Sequence, residues 1–182
     1  MNAHICDAKH AGALDNGIRR FFHNPQKFLK GLLQEGDTVL DVGCGPGTFT
    51  IGMAKMVGSS GQVVAADLQD EMLSKARTKA ESNGVDERIS FHKCENDRIG
   101  LQGQFAFILA FFMVHEVPDQ DAFMSEVADL LAPGGFFYLV EPIFHASKRL
   151  MDKELALAAK YGLTVKEQRN VLFGKGFVLQ KA

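Results

Sequence analysis

Three glycines on alternate positions, Gly43, Gly45 and Gly47, follow the run Val39-Leu40-Asp41-Val42. Glycine removes the side chain where backbone must come close to a ligand, and it accepts turn angles that other residues resist. A helical pattern begins at Thr48, and the first N–H groups of a helix have no internal partners, so they face whatever the loop holds. A second apolar run, residues 62–66, ends at Asp67, a strand-end carboxylate with acceptors enough for both hydroxyls of a ribose. Cys44 sits inside the glycine loop. It reads as a nucleophile or as a small packed side chain, and no activating base stands beside it in sequence. His115 follows a strand at the edge where open α/β sheets bind ligands. A neutral imidazole there accepts a proton from an O–H, N–H or acidic C–H, whereas a structural histidine would bond loop backbone instead. Glu141 closes the next strand on that edge, placed to orient a substrate or a loop amide. Together these residues describe a nucleoside site with a candidate base.

Strands and helices alternate to position them. Asn24 caps a helix that starts at Pro25 and shows Phe28, Leu29, Leu32 and Leu33 on one face. Gly36-Asp37 turns the chain into a strand over 38–42, and a helix follows over 48–56. After the strand that ends at Asp67, Asp70 caps a helix to about Ser82, stopped by Asn83-Gly84. Strands are predicted over 89–93, 105–110 and 136–141, with a helix over 119–132 stopped by Pro133-Gly134-Gly135. Ser147 caps the last helix, which runs to Tyr161-Gly162. Two final strands, 163–170 and 172–180, have no crossover between them and must pair antiparallel. The fold class is α/β: a Rossmann-like, doubly wound, seven-stranded sheet, mostly parallel with an antiparallel C-terminal edge hairpin. Residues 1–182 read as one domain, with a helical lid segment over 1–34 and a cofactor-binding core over 36–182.

The 182-residue chain has 20 Lys and Arg against 22 Asp and Glu, a net charge of −2, so it carries no basic footprint for nucleic acid. Cys6, Cys44 and Cys94 are isolated and odd in number, which suggests neither a disulfide framework nor a metal site and fits a reducing cytoplasm. His4, Cys6 and His10 match no metal-ligand spacing, so no metal is expected. The polar opening residues do not form a signal peptide, and the apolar stretch over 105–114 is too short to span a membrane.

From about Gly36 to Ala182 the chain resembles the class I S-adenosylmethionine-dependent methyltransferases. The segment 39–48 is similar to that family's first motif, Asp67 to its ribose-binding acid, and residues 130–135 to the turn before its fifth strand. The resemblance implies that Asp41, Gly43, Cys44, Gly45 and Gly47 surround the amino-acid end of S-adenosylmethionine. It places Asp67 on the ribose, Leu68 beside the adenine, Glu95 and Asn96 at the adenine edge, and Ala110 in the same set. Two positions depart from the pattern: Ala106 stands where an acid is usual, and Glu95-Asn96 replaces a commoner Asp-Ala. Asn24-Pro25, residues 114–119 and Glu141-Pro142 are similar to the ubiquinone/menaquinone-biosynthesis-like (type 11) group of small-molecule enzymes.

The resemblance implies methyl transfer by in-line displacement to a small, apolar or aromatic acceptor, with S-adenosylhomocysteine as product. His115 and Glu141 are then the candidate catalytic pair. A dinucleotide fingerprint spaces its glycines G-x-G-x-x-G, whereas these fall G-x-G-x-G. A nicotinamide-dependent oxidoreductase and a non-catalytic S-adenosylmethionine-binding protein stay open as alternatives. No Asp/Asn-Pro-Pro-Tyr/Phe run follows the fourth strand, which argues against the amino-methylating nucleic-acid enzymes. A homodimer is left open.

Overall fold

The computed structural model describes residues 24–144 and 147–182, so His4, Cys6, His10 and most of the expected lid lie outside the described residues. The described chain forms two compact units, one ending at Cys94 and the other beginning at Glu95.

In the first unit, Asn24 accepts a hydrogen bond from the Gln26 N–H at 3.0 Å and opens α1, Pro25–Phe28. The expected longer helix stops there, with Leu29 as its C-cap, and the left-handed φ of 78° at Gly31 keeps the chain from resuming it. Leu29, Leu32 and Leu33 are nonetheless buried. Then come β1 (Thr38–Val42), α2 (Thr48–Met56), β2 (Gln62–Asp67), α3 (Asp70–Ser82), a 3₁₀ turn at Asp86–Arg88 and β3 (Ile89–Lys93). The strands pair parallel in the order β3-β2-β1. Val39, Leu40, Val63, Ala65 and Ala66 have no exposed surface, as expected of strands covered on both faces. α1 lies close on α2: a Cβ at Gly52 would stand 2.2 Å from Pro25 Cβ. Asp70 is not the cap of α3. Gln69 holds that position without a side-chain bond, and Asp70 pairs with Lys93.

The second unit contains β4 (Phe105–Phe111), a 3₁₀ turn at Val114–Glu116, α4 (Gln120–Leu130), β5 (Leu131–Pro142), α5 (Lys148–Lys160), β6 (Leu163–Val171) and β7 (Gly174–Lys181). Their order is β4-β5-β7-β6, with β4 and β5 parallel and β7 antiparallel to both its neighbours. Asp119 caps α4 by accepting from the N–H groups of Asp121 and Ala122, and Ser147 caps α5 by accepting from Leu150 N–H. β5 starts five residues earlier than its apolar run predicts. Leu131 pairs with Phe105 before the register shifts to Phe136 opposite Phe107, which absorbs Pro133-Gly134-Gly135 into the strand. Gly135 has no room for a side chain, since a Cβ would lie 2.9 Å from the Ala132 carbonyl and 3.0 Å from that of Ala106. The fold class is the expected one, a seven-stranded, mostly parallel α/β sheet with an antiparallel C-terminal pair. Among the described residues no helix is long and apolar enough to cross a membrane.

Candidate active site

In the first unit the loop after β1 is tied to the end of β2. The N–H groups of Gly43 and Cys44 both donate to the Ala66 carbonyl, at 2.8 and 3.0 Å. Gly45 N–H donates to Asp67 Oδ2 and Gln69 N–H to Asp67 Oδ1, each at 2.9 Å. One carboxylate thus holds the turn of the glycine loop and the first residues beyond β2. Beneath them the Thr50 hydroxyl donates to Asp41 Oδ2 at 2.6 Å, fastening α2 to β1. Thr50 was invisible as a site residue in the sequence, where it is one more helical position.

The three glycines serve different ends. All have left-handed φ, at 68°, 52° and 81° for Gly43, Gly45 and Gly47. A Cβ at Gly45 would meet nothing within 4 Å, whereas one at Gly47 would lie 2.9 Å from Ala76 Cβ and 3.1 Å from its Cα. Gly47 is therefore required by the packing of α3, and Gly45 leaves open space. Gly47→Ala should cost about 1–2 kcal/mol for the left-handed backbone and a further 1–3 kcal/mol for overpacking. Gly45→Ala should incur the backbone part alone. Urea denaturation of the two variants checks this; equal losses would contradict the division.

Burial and the charge of Asp67 push the Asp41 carboxyl up to about 7 despite its bond from Thr50. A buried acid with a raised value binds its proton more tightly folded than unfolded, so stability falls as pH rises from about 4 through 7. The span from 3.8 to about 7 corresponds to about 4 kcal/mol at 1.36 kcal/mol per unit. Asp41→Asn, which keeps an acceptor for Thr50, should flatten that loss, read as urea midpoints at pH 5 and pH 8. An unchanged pH dependence would contradict it. Burial also raises Asp67, outweighing the amides of Gln69, Gly45 and Leu68. Cys44 is buried, and burial with the charges of Asp41 and Asp67 holds its thiol well above the usual range. Its burial fits the packed-side-chain reading.

These residues fit a nucleoside. A carboxylate has about four acceptor positions. Asp67 accepts from Gly45 N–H on one oxygen and Gln69 N–H on the other, with the Leu68 amide also nearby, and its remaining lone pairs are left for hydroxyl donors. Gly45 leaves room for an approaching group, and the N-cap of α2 is a glycine with no side chain to cover the helix end. Leu68 is half-buried beside Asp67.

In the second unit Glu95 and Asn96 are exposed, and the Glu95 carboxylate accepts from Arg98 at 2.6 Å. Ala110 has no exposed surface within β4, so its place in the set rests on the resemblance alone. His115 and Glu141 come together. His115 Nδ1 lies 2.5 Å from Glu141 Oε2, and His115 N–H donates to Glu141 Oε1 at 3.3 Å. A carboxylate accepts only, so in the neutral ring Nδ1 carries the hydrogen and Nε2 the lone pair. Nε2 lies 3.8 Å from Glu116 Oε1. Burial lowers the imidazole, but the hydrogen bond and charge of Glu141, with the charge of Glu116, outweigh it and raise His115 above its ordinary value.

The backbone entering this turn is strained. Phe112 takes a φ of 58°, an outlier for a bulky side chain, and its N–H donates to the Val140 carbonyl at 2.8 Å. Its ring stacks on Phe111 at 4.1 Å between centroids and occupies the space a side chain at Gly174 would need, 2.7 Å from a Cβ there. Among the described residues no group of His, Cys, Asp and Glu could hold a metal ion.

A glycine loop joined to a strand-end acid, in an α/β protein whose sheet is mostly parallel with an antiparallel C-terminal pair, is an arrangement suited to a nucleoside cofactor. A family model described as a methyltransferase domain matches residues 33–172, and the chain belongs to that family. Its cofactor is S-adenosylmethionine. The chain is 31% identical over 126 residues to the ubiquinone/menaquinone biosynthesis C-methyltransferase UbiE of Shewanella sp. (strain W3-18-1), covering 69% of this chain and 50% of that protein. It is 32% identical over 118 residues to the demethylmenaquinone methyltransferase of Lactobacillus johnsonii (strain CNCM I-12250 / La1 / NCC 533), covering 64% of this chain and 48% of that one. The chain thus spans about half the length of the curated relatives it matches. A solved structure, a SAM dependent methyltransferase from Aquifex aeolicus, superposes with a TM-score of 0.86 at 26% identity, covering 98% of this chain and 100% of that chain.

Proposed function

We propose that this protein methylates a carbon of a small aromatic acceptor, with His115 as general base and Glu141 as its support. The observation that carries this reading is the His115–Glu141 pair, whose 2.5 Å contact fixes the ring tautomer. When bound, S-adenosylmethionine supplies a methyl group on positively charged sulfur, an electrophile that needs no covalent help from the protein. Asp67 would hold the ribose, the amides of the 43–47 loop the amino-acid end, Leu68 the adenine face, and Glu95 with Asn96 the adenine edge. Asp41 and Thr50 keep the loop in place.

A phenolic or hydroquinone ring becomes a carbon nucleophile as its O–H proton leaves. His115 Nε2 would take that proton, and Glu141 and Glu116 would stabilise the imidazolium that forms. Once the ring carbon carries the methyl group, that carbon's own hydrogen leaves as a proton while the oxygen is reprotonated, restoring the aromatic ring. The name of the Shewanella relative, a ubiquinone/menaquinone biosynthesis C-methyltransferase, supports a ring carbon as the target. Positioning the acceptor supplies up to about 7–11 kcal/mol in favourable cases, and the base typically about 10²–10⁴-fold. Residues 36–182 would form the cofactor-binding core of one catalytic domain acting in a reducing cytoplasm. A nicotinamide-dependent oxidoreductase is not favoured, because the matched family and relatives are methyltransferases.

The test is incubation with methyl-labelled S-adenosylmethionine and a panel of hydroquinones, naphthols, phenols, amines and thiols, read by mass spectrometry. Label on a ring carbon is the expected product. Label confined to amines or thiols would contradict the proposal.

A further inference from the structure

The second unit buries more acid than the His115–Glu141 pair requires. Glu141 is 1% exposed and Glu154, on α5, has no exposed surface at all. Gln120 joins the two regions. Its Oε1 accepts from Lys153 Nζ at 3.0 Å, and because an ammonium only donates, this fixes which end of the amide faces it. Gln120 Nε2 then donates to the Val114 carbonyl at 3.0 Å and to Glu154 Oε1 at 3.1 Å. Val114 opens the 3₁₀ turn that carries His115. The other Glu154 oxygen, Oε2, is buried and has no hydrogen-bond partner among the described residues.

Two ionised carboxylates cannot both be sustained here at low cost. Glu141 has a partner that can carry positive charge, the imidazole of His115. Glu154 hydrogen-bonds a neutral amide and no cation, since Lys153 donates to Gln120 instead. A buried carboxylate without a paired cation takes up a proton before it accepts the desolvation penalty. Oε1 accepts from Gln120, which leaves Oε2 as the oxygen that bears the hydrogen.

We infer that Glu154 is a positioning residue for the proposed base: a neutral, buried carboxylic acid that anchors Gln120, and through it the His115 turn, while leaving Glu141 as the single buried negative charge behind the imidazole. The inference rests on the reading of His115 as base. The groups facing Glu154 are Glu141 from β5, His115 from the turn, Gln120 from α4 and Lys153 from its own helix. Burial first, then the charge of Glu141, raises Glu154 to about 8, against the opposing pulls of His115, Lys153 and the Gln120 bond. Above that pH a second negative charge appears behind the pair, and His115 becomes harder to deprotonate.

The test compares the intact protein with Glu154→Gln, whose amide keeps an acceptor for Gln120 and mimics the neutral acid. Infrared spectra at pH 7 should show a carboxylic-acid C=O band that the variant lacks. The His115 ring resonances in NMR should show a second inflection near pH 8 that vanishes in Glu154→Gln. Glu154→Ala, which releases Gln120, should speed hydrogen exchange of the His115 amide about tenfold, consistent with one lost buried hydrogen bond. Glu154→Gln should restore slow exchange. Absence of the acid band at pH 7, or an inflection that persists in Glu154→Gln, would overturn the inference. Should the alanine variant not fold, the spectra of Glu154→Gln still decide it. Full methyl transfer by His115→Ala would remove the base reading and leave these spectra unchanged, so the two failures are told apart.

Discussion

Asp67→Ala should weaken S-adenosylhomocysteine binding by about 10²- to 10⁴-fold, from two hydroxyl bonds to a charged acceptor at about 1.5–3 kcal/mol each. The same change frees the Gly45 and Gln69 amides, so the loop that approaches the cofactor loses its anchor as well as its ribose acceptor. Asp67→Asn keeps one carboxamide oxygen for one of those amides and should fall between alanine and the intact protein. Calorimetric titration reads all three. An affinity within twofold of the intact protein for Asp67→Ala would remove Asp67 from the site.

His115→Ala carries the second large effect. Loss of a positioned base should lower kcat by about 10²- to 10⁴-fold on a phenolic acceptor while leaving S-adenosylhomocysteine affinity within a few-fold. In the intact protein the rate should rise with pH through a value above the ordinary 6.5 of histidine, because Glu141 and Glu116 hold the proton on the ring. Glu141→Gln removes the largest of those charges and should move the rising limb to lower pH as it lowers the plateau. The stability linkage runs the other way. A raised histidine stabilises the fold fully below its unfolded value near 6.5, and that contribution is lost as pH rises through the folded value. Rate and stability should therefore cross in opposite directions over one pH window. A pH-independent rate in the intact protein would contradict the base.

The readable parts of this chain were those in which local chemistry and spacing coincide. Asp41, the alternate glycines and Asp67 lie at strand ends that apolar runs announce. The antiparallel C-terminal pair follows from the absence of a crossover between its strands. Gly47 shows the limit of that logic. Its spacing suggested a ligand, yet the neighbour that demands a glycine is Ala76, and no local pattern encodes that contact. Thr50 is likewise an ordinary helical position until its hydroxyl meets Asp41.

The support of the candidate base was harder to read because it is assembled from distant residues. Gln120 and Glu154 are 34 residues apart. One signal was present: Met151, Glu154 and Ala158 fall on one helical stripe and all three are buried, so a carboxyl stands where an apolar side chain belongs. The short α1 was missed for a simpler reason. Leu32 and Leu33 keep a helical spacing but are buried by a chain that Gly31 has already turned.

A crystal structure with S-adenosylhomocysteine at saturating concentration tests the central claim most directly. Both ribose hydroxyls should lie within hydrogen-bonding distance of the Asp67 carboxylate, with the amino-acid end against the backbone of residues 43–47. Density for the nucleoside elsewhere, with the Asp67 carboxylate still bonded to loop amides alone, would contradict the account.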